Sequence, residues 1–80
     1  MLFRSRFIRN VLIAAGNSGE RSLIEQCRIL AADASPAVRG MAVWALSRLM
    51  KAGEFNVFAA QREGESDEDV LYEWRMAGVS

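Results

Sequence analysis

The sequence predicts an all-α fold in which helix pairs stack side by side as a right-handed α-solenoid of about five helices. Apolar residues recur at spacings of three and four along the chain, which is the period of an amphipathic helix. No segment alternates between polar and apolar residues, so we expect no strand. The apolar pattern also repeats about every 31 residues, a length that suits one helix–turn–helix unit of a stacked array.

The stretch from Asp33 to Met50 predicts the helix on which the others pack. Ser35 is a good N-cap because its hydroxyl can accept a hydrogen bond from the first turn, and Pro36 suits a first helical position, where no N–H is needed. The helix is apolar on more than one side, and we expect it to end near Lys51. Its apolar residues are Val38, Met41, Ala42, Val43, Ala45, Leu46, Leu49 and Met50. Such a helix is covered by neighbours on two sides.

Two helices are predicted before it. The first spans residues 4–15 and stops at Gly16, because residues 17–19 are typical of a turn. Its predicted inward face is Phe7, Ile8, Val11, Leu12 and Ala15. The second helix runs from Ser18 or Gly19 to about Ala32. Its predicted inward face is Leu23, Ile24, Cys27, Leu30 and Ala31.

Two shorter helices are predicted after it. The fourth spans about Glu54 to Arg62, and its inward residues are Phe55, Phe58 and Ala59. The fifth opens at residues 66–69, where Ser66 can cap and the carboxylates that follow suit the positive end of the helix dipole. Its inward residues are Val70, Trp74 and Ala77.

An internal repeat organises these helices. Ile8 aligns with Val38 at an offset of 30, and Val38 aligns with Val70 at an offset of 32. We interpret residues 1–80 as one domain with an orphan helix at 4–15 and helix pairs at 20–50 and 54–78. An orphan helix predicts a partner upstream of Met1, so we expect the chain to be a C-terminal fragment of a larger protein. The alternative is a compact five-helix domain with accidental self-similarity.

The composition argues against catalysis and metal binding by this chain. It has no histidine and one cysteine, so no zinc site is expected. Cys27 lies on an apolar helical stripe, where a buried structural thiol is expected. No glycine-rich phosphate loop is present, because residues 16–19 lack the lysine and the preceding strand of such a loop. The N-terminus has no sustained apolar run, which argues against a signal peptide or a membrane span. We expect a cytoplasmic protein.

Charge is distributed unevenly although the net charge is zero. Residues 1–40 carry six basic and three acidic side chains, whereas residues 41–80 carry four basic and seven acidic ones. The basic half could approach phosphate. Candidate RNA contacts are Arg6, Arg9, Asn10, Asn17, Arg39 and Arg48.

Five of these six candidates also have a structural interpretation. Arg9 and Arg39 occupy equivalent repeat positions and should be neighbours, but either could instead reach back to carbonyls or to an acid such as Asp33. Asn10 and Asn17 could hydrogen-bond to turn backbone. Arg6, like Arg4, could belong to a solvated helix start.

The segment 9–19, Arg-Asn-Val-Leu-Ile-Ala-Ala-Gly-Asn-Ser-Gly, is followed about sixteen residues later by Ser-Pro-Ala-Val-Arg-Gly at 35–40 and Trp-Ala-Leu at 44–46. These residues resemble the C-terminal HEAT-like repeat region of epoxyqueuosine reductase, the family that performs the last step of queuosine biosynthesis on the wobble base of tRNA. The resemblance covers residues 4–50 well and the remainder loosely. The third repeat departs from it, because Leu71 replaces the repeated arginine and the surroundings are acidic.

The resemblance implies a HEAT-like platform that packs on its own catalytic domain upstream and helps to hold the anticodon arm of a tRNA. It implies iron–sulfur clusters and cobalamin in the missing domains of the parent oxidoreductase. One cysteine cannot hold such a cluster, so no cofactor is expected in this chain. The alternative is a protein–protein scaffold of HEAT-repeat type without RNA contact. An exposed apolar patch and little basic clustering would favour that scaffold.

Overall fold

A computed structural model describes residues 2–62 and 64–78, and this part of the chain is helical without strands. The five α-helices are α1 (Leu2–Ser18), α2 (Ile24–Leu30), α3 (Pro36–Leu49), α4 (Ala52–Ala60) and α5 (Glu68–Met76). A 3-10 turn, Arg21–Leu23, leads into α2. The all-α prediction with five helices is therefore confirmed.

Helix α3 is the centre of the molecule. It packs against all four other helices, most extensively against α1 and α5. Seven of its fourteen residues are buried, which agrees with the apolar pattern on more than one side of the helix. The buried core consists of Leu12, Ala15, Cys27, Val38, Ala42, Val43, Ala45, Leu46, Leu49, Phe55, Ala59, Val70 and Trp74.

The start of α3 is built as predicted. The Ser35 hydroxyl accepts from the backbone N–H of Val38 at 3.4 Å, and Pro36 is the first helical residue. The Asp33 carboxylate accepts from the backbone N–H of Ser35 at 2.9 Å, which holds the connection ahead of the cap. These local bonds satisfy donors that the first turn of a helix leaves free.

The prediction that α1 stops at Gly16 is wrong. The helix continues to Ser18, and the chain turns at Gly19, whose φ of +73° is a conformation that favours glycine. Gly16 is buried because the ring of Trp44 lies against it, and a Cβ there would be 2.5 Å from Trp44 Cζ3. The glycine therefore permits close packing between α1 and α3.

The other boundaries shift by a few residues. The second helix is split, because residues 21–23 form a 3-10 turn before α2, and it ends at Leu30. Helix α4 begins earlier than predicted, at Ala52, and the Glu54 carboxylate accepts from the backbone N–H of Lys51 at 2.8 Å. Such a bond from the third residue back to the cap stabilises a helix start.

The cap of α5 is Asp67 and not Ser66. The Asp67 carboxylate accepts from the backbone N–H groups of Asp69 at 2.9 Å and Val70 at 3.2 Å. Asp67 bears an extended backbone conformation, as an N-cap requires. A carboxylate at this end also interacts favourably with the helix dipole.

The predicted inward face of α1 is partly wrong. Leu12 and Ala15 are buried and Ile8 packs against the core, whereas Phe7 and Val11 are exposed. The stripe that packs on the core is centred on Ile8, Leu12 and Ala15, and Phe7 lies about 140° around the helix from Leu12, beyond the edge of that stripe. The outward-facing pair lies on the same face as Phe3, which is also exposed.

Candidate nucleic-acid interface

Two arginines on α1, Arg6 and Arg9, have no acidic partner in the described part of the chain. Ile8 and Leu12 anchor α1 on the core, which leaves Arg6, Arg9 and Asn10 exposed to solvent. Within the described part of the chain, none of these three side chains forms a hydrogen bond or an ion pair. Arg6 and Arg9 are three residues apart, so they are neighbours on the helix surface. This arrangement presents two available guanidinium groups beside an amide.

Other arginines are engaged with carboxylates. Arg4 forms a two-pronged contact with Asp33, with nitrogen–oxygen distances of 2.6 and 3.2 Å, and this contact joins α1 to the connection before α3. Hydrogen bonds from Arg4 and from the Ser35 amide lower the pKa of Asp33. Arg28 pairs with Glu25 at 3.0 Å within α2. These guanidinium groups are partly neutralised.

Arg21 links the start of the second helical segment to the start of α4. It contacts both carboxylate oxygens of Glu54, at 2.7 and 2.9 Å, and also donates to the carbonyl oxygen of Leu49 at 3.3 Å. The side-chain hydrogen bond from Arg21, together with the Lys51 amide, lowers the pKa of Glu54 to about 2. The Arg21 side chain therefore connects two helical segments of the fold.

Arg39 makes contacts with backbone carbonyls and an acidic side chain, which is the alternative to RNA contact that the sequence left open. Its guanidinium donates to Glu65 through Nε at 3.0 Å and Nη2 at 2.9 Å, and through Nη1 to the carbonyl oxygens of Asp33 and Ala34. The hydrogen bonds between them lower the pKa of Glu65 and raise that of Arg39. Glu65 also accepts from the backbone N–H of Asp67 at 3.0 Å, so this pair ties the start of α3 to the start of α5. An RNA contact by Arg39 stays a prediction.

The remaining two candidates lie near the other end of α1 and α3. Asn17 is exposed in the last turn of α1, and its side chain has no hydrogen-bond partner in the described ranges 2–62 and 64–78. The Arg48 guanidinium lies over the ring of Trp44, 5.7 Å from its centroid, in a cation–π contact. Arg48 is nevertheless exposed and keeps its donors available.

Sequence reasoning missed an exposed apolar strip on α1, formed by Phe3, Phe7 and Val11. These side chains recur at a spacing of four, and Phe7 is 69% exposed. A signal was present, because α1 has apolar residues on both its inner and its outer side. The sequence could not show which of the two sides packs against α3.

An open groove of about 710 Å³ lies between the ends of α2 and α4. Arg28, Arg39 and Arg62 line it together with Phe58 and Trp74. The first two arginines are paired with carboxylates, and Arg62 lies over the Trp74 ring at 5.2 Å. The groove therefore offers less available positive charge than the surface of α1.

The surroundings of Cys27 disfavour a reactive thiol. Cys27 is buried, as predicted, and burial raises the pKa of its thiol, which disfavours the nucleophilic thiolate. Among the described residues, no cluster of acidic or cysteine side chains could hold a metal ion. None of the described helices combines the length and apolar character needed to cross a membrane.

Comparison with protein-family models, with curated proteins and with solved structures gives no match. The feature that stands out is the surface of α1, where Arg6 lies at the edge of the apolar strip and Arg9 is exposed further around the helix.

Proposed function

We propose that the chain is a HEAT-like repeat domain that helps to bind the anticodon arm of a tRNA, as part of an oxidoreductase resembling epoxyqueuosine reductase. The internal repeat supports the architecture. Ser5 and Ser35 are equivalent at the offset of 30, and their hydroxyl oxygens are 3.2 Å apart in the structure. The packing of α1 and α5 on α3 is also consistent with three equivalent helices in a right-handed stack of helix pairs.

The observation that carries the proposal is the state of Arg6 and Arg9. Four other arginines form ion pairs, whereas these two are exposed on one helix without a partner in the described chain. Binding to RNA phosphates displaces counterions from the RNA, and it needs guanidinium groups that are free to form charge-assisted hydrogen bonds. Asn10 beside them offers both a donor and an acceptor for a sugar or an unpaired base.

The residues of this chain do not fit the cofactors of the proposed parent enzyme. A cluster of four cysteines is the usual ligand set for an iron–sulfur centre, and the chain has one cysteine, which is buried. The role proposed here is therefore binding alone. We propose in addition that a separate catalytic domain holds the cofactors and that the protein is cytoplasmic.

The test is a titration of the chain against a tRNA anticodon stem-loop of the queuosine type. The double variant R6E/R9E should weaken binding by at least about tenfold, because each reversal replaces an attraction to phosphate by a repulsion. Arg75→Glu is the matched control for each single reversal, Arg6→Glu and Arg9→Glu, since it makes the same change of charge and Arg75 is exposed on α5 without an ion-pair partner in the described chain. Equal affinity of R6E/R9E and wild type, in the chain alone and joined to its catalytic domain, would overturn the proposal.

A second function, a protein–protein scaffold of HEAT-repeat type, is favoured by the exposed strip of Phe3, Phe7 and Val11. Contiguous exposed apolar side chains are typical of interaction surfaces. The two functions make opposite predictions for Phe7→Ser, which keeps both arginines. RNA affinity should survive this substitution if RNA is the ligand, and capture of a protein partner should be lost if the scaffold is correct.

A further inference from the structure

Helices α1 and α3 lie side by side and run in the same direction. Near their starts, the hydroxyl groups of Ser5 and Ser35 are 3.2 Å apart. Towards their ends, the ring of Trp44 lies against Gly16. The Trp44 ring therefore marks one side of the contact between the two helices.

Arg9 lies on the side of α1 that meets the Trp44 ring. It precedes Gly16 by seven residues, so the two residues are within about 20° of each other around the helix. Arg6 is about 60° further around, and Phe7 of the apolar strip is about 160° from Arg9. Arg9 thus belongs to the junction with α3 and not to the apolar strip.

Ala37, Trp44 and Arg48 share one side of α3, because spacings of seven and four residues return to within about 40° around a helix. The Arg48 guanidinium carbon lies 5.7 Å from the centroid of the Trp44 ring, and this cation–π contact holds the cation near α1. Ala37 and Arg48 are both exposed. We call the surface formed by Arg6, Arg9, Ala37, Trp44 and Arg48 the seam surface.

The seam surface is cationic because the helices that form it contain no carboxylate. Neither Leu2–Ser18 nor Pro36–Leu49 includes an aspartate or a glutamate. Its three arginines form no ion pair with any residue that the structure describes. On the α5 side of α3 the surface ends at Glu73, whose Cγ would be 3.5 Å from a Cβ at Gly40. We therefore expect an anionic ligand to lie along α1 and α3.

We infer that the seam surface binds an extended RNA strand, with Arg48 as a third phosphate contact beside Arg6 and Arg9. Arg9 precedes Gly16 by seven residues and Arg48 follows Trp44 by four, so the two cations are about 16 Å apart along the helix axes. One phosphate group cannot span this separation, whereas a strand carries several in a row. The inference rests on the function proposed above, and it adds the surface on which the RNA lies.

The salt dependence of binding to the anticodon stem-loop tests the third contact. Arg48→Ala should reduce the slope of log K against log salt concentration by about 0.7–0.9, and Arg48→Lys should restore most of the slope because it returns the charge. The double variant R9A/R48A should lose about twice as much slope as either single variant, since the two groups contact different phosphates. Arg75→Ala on α5 is the control, and its slope should equal that of the wild type.

Ala37→Glu tests the surface without removing a contact. A carboxylate in the first turn of a helix interacts favourably with the helix dipole, so this variant should keep the wild-type Tm. Its affinity for the stem-loop at low salt should fall by about threefold or more, because the carboxylate repels phosphate. Gln26→Glu is the matched control, since it adds the same charge at an exposed position in the first turn of α2.

The outcomes separate this inference from the proposed function. If R6E/R9E weakens binding but Arg48→Ala keeps the wild-type slope, the seam inference is overturned and the proposed function stands. The same conclusion follows if Ala37→Glu binds as tightly as Gln26→Glu. If R6E/R9E binds like the wild type, both the proposed function and the seam inference are overturned.

Discussion

The close approach of α1 and α3 at Gly16 leads to a prediction with a definite sign. In the interior of a helix, alanine is more favourable than glycine by about 0.5–1 kcal/mol. At Gly16, however, the added methyl group would lie 2.5 Å from Trp44 Cζ3 and 3.1 Å from two further atoms of the same ring. Insertion of a methyl group into a packed contact costs about 1–3 kcal/mol. Gly16→Ala should therefore lower the free energy of unfolding by about 1 kcal/mol.

Thermal unfolding followed by circular dichroism measures this effect. For a chain of this size, 1 kcal/mol corresponds to a fall of about 4–8 °C in Tm. Gly53→Ala is the matched control, because Gly53 lies in α4 with no atom within 4 Å of its would-be Cβ, and it should raise Tm. In a Trp44→Ala background the effect of Gly16→Ala should reverse and become stabilising. A Gly16→Ala variant that melts at or above the wild-type temperature would refute the packing explanation for Gly16.

Three further predictions concern capping and pH. Asp67→Ala should lower the free energy of unfolding by about 1 kcal/mol in chemical denaturation, whereas Ser66→Ala should change it by less than about 0.5 kcal/mol, because Asp67 is the cap of α5. The pKa of Glu54 is depressed to about 2, so the carboxylate's contribution to stability is complete above about pH 4.5 and is lost as the pH falls towards 2. Glu54→Gln should therefore flatten the dependence of the free energy of unfolding on pH between these two values. An unchanged pH dependence would contradict the role of the bond between Glu54 and Arg21. Burial, together with the nearby charge of Asp69, raises the pKa of Glu73, so the ionised form of Glu73 opposes folding. Glu73→Gln should therefore raise Tm at pH 7 but not at pH 3. A lower Tm at pH 7 would contradict this explanation.

Local signals in the sequence predicted the helices well. The start of α3 depends on Ser35 and Pro36, which act within one turn of the chain, and the structure has both in the expected roles. The role of Gly16 was predicted wrongly because a glycine near the end of a helix can either terminate that helix or allow another helix to pack closely against it. The sequence could not resolve this ambiguity, since the contacting residue, Trp44, belongs to another helix.

The sequence names the candidate arginines but does not show which of them are paired with carboxylates. Arg39 is distinguished from Arg9 by Glu65, which is 26 residues further along the chain. Arg4 is likewise paired with an acid that is 29 residues away. Which arginines remain available therefore depends on the tertiary fold. The same holds for the apolar strip of α1, since both sides of that helix carry apolar residues.

The salt dependence of RNA binding tests the central claim, that Arg6 and Arg9 are the phosphate-binding groups of this chain. The slope of log K against log salt concentration measures how many phosphate charges the protein neutralises, at about 0.7–0.9 per contact. Arg6→Ala and Arg9→Ala should each reduce this slope by about that amount without changing Tm, because neither side chain has a partner in the described structure. Arg75→Ala should leave the slope as in the wild type. An unchanged slope in both α1 variants would contradict the claim.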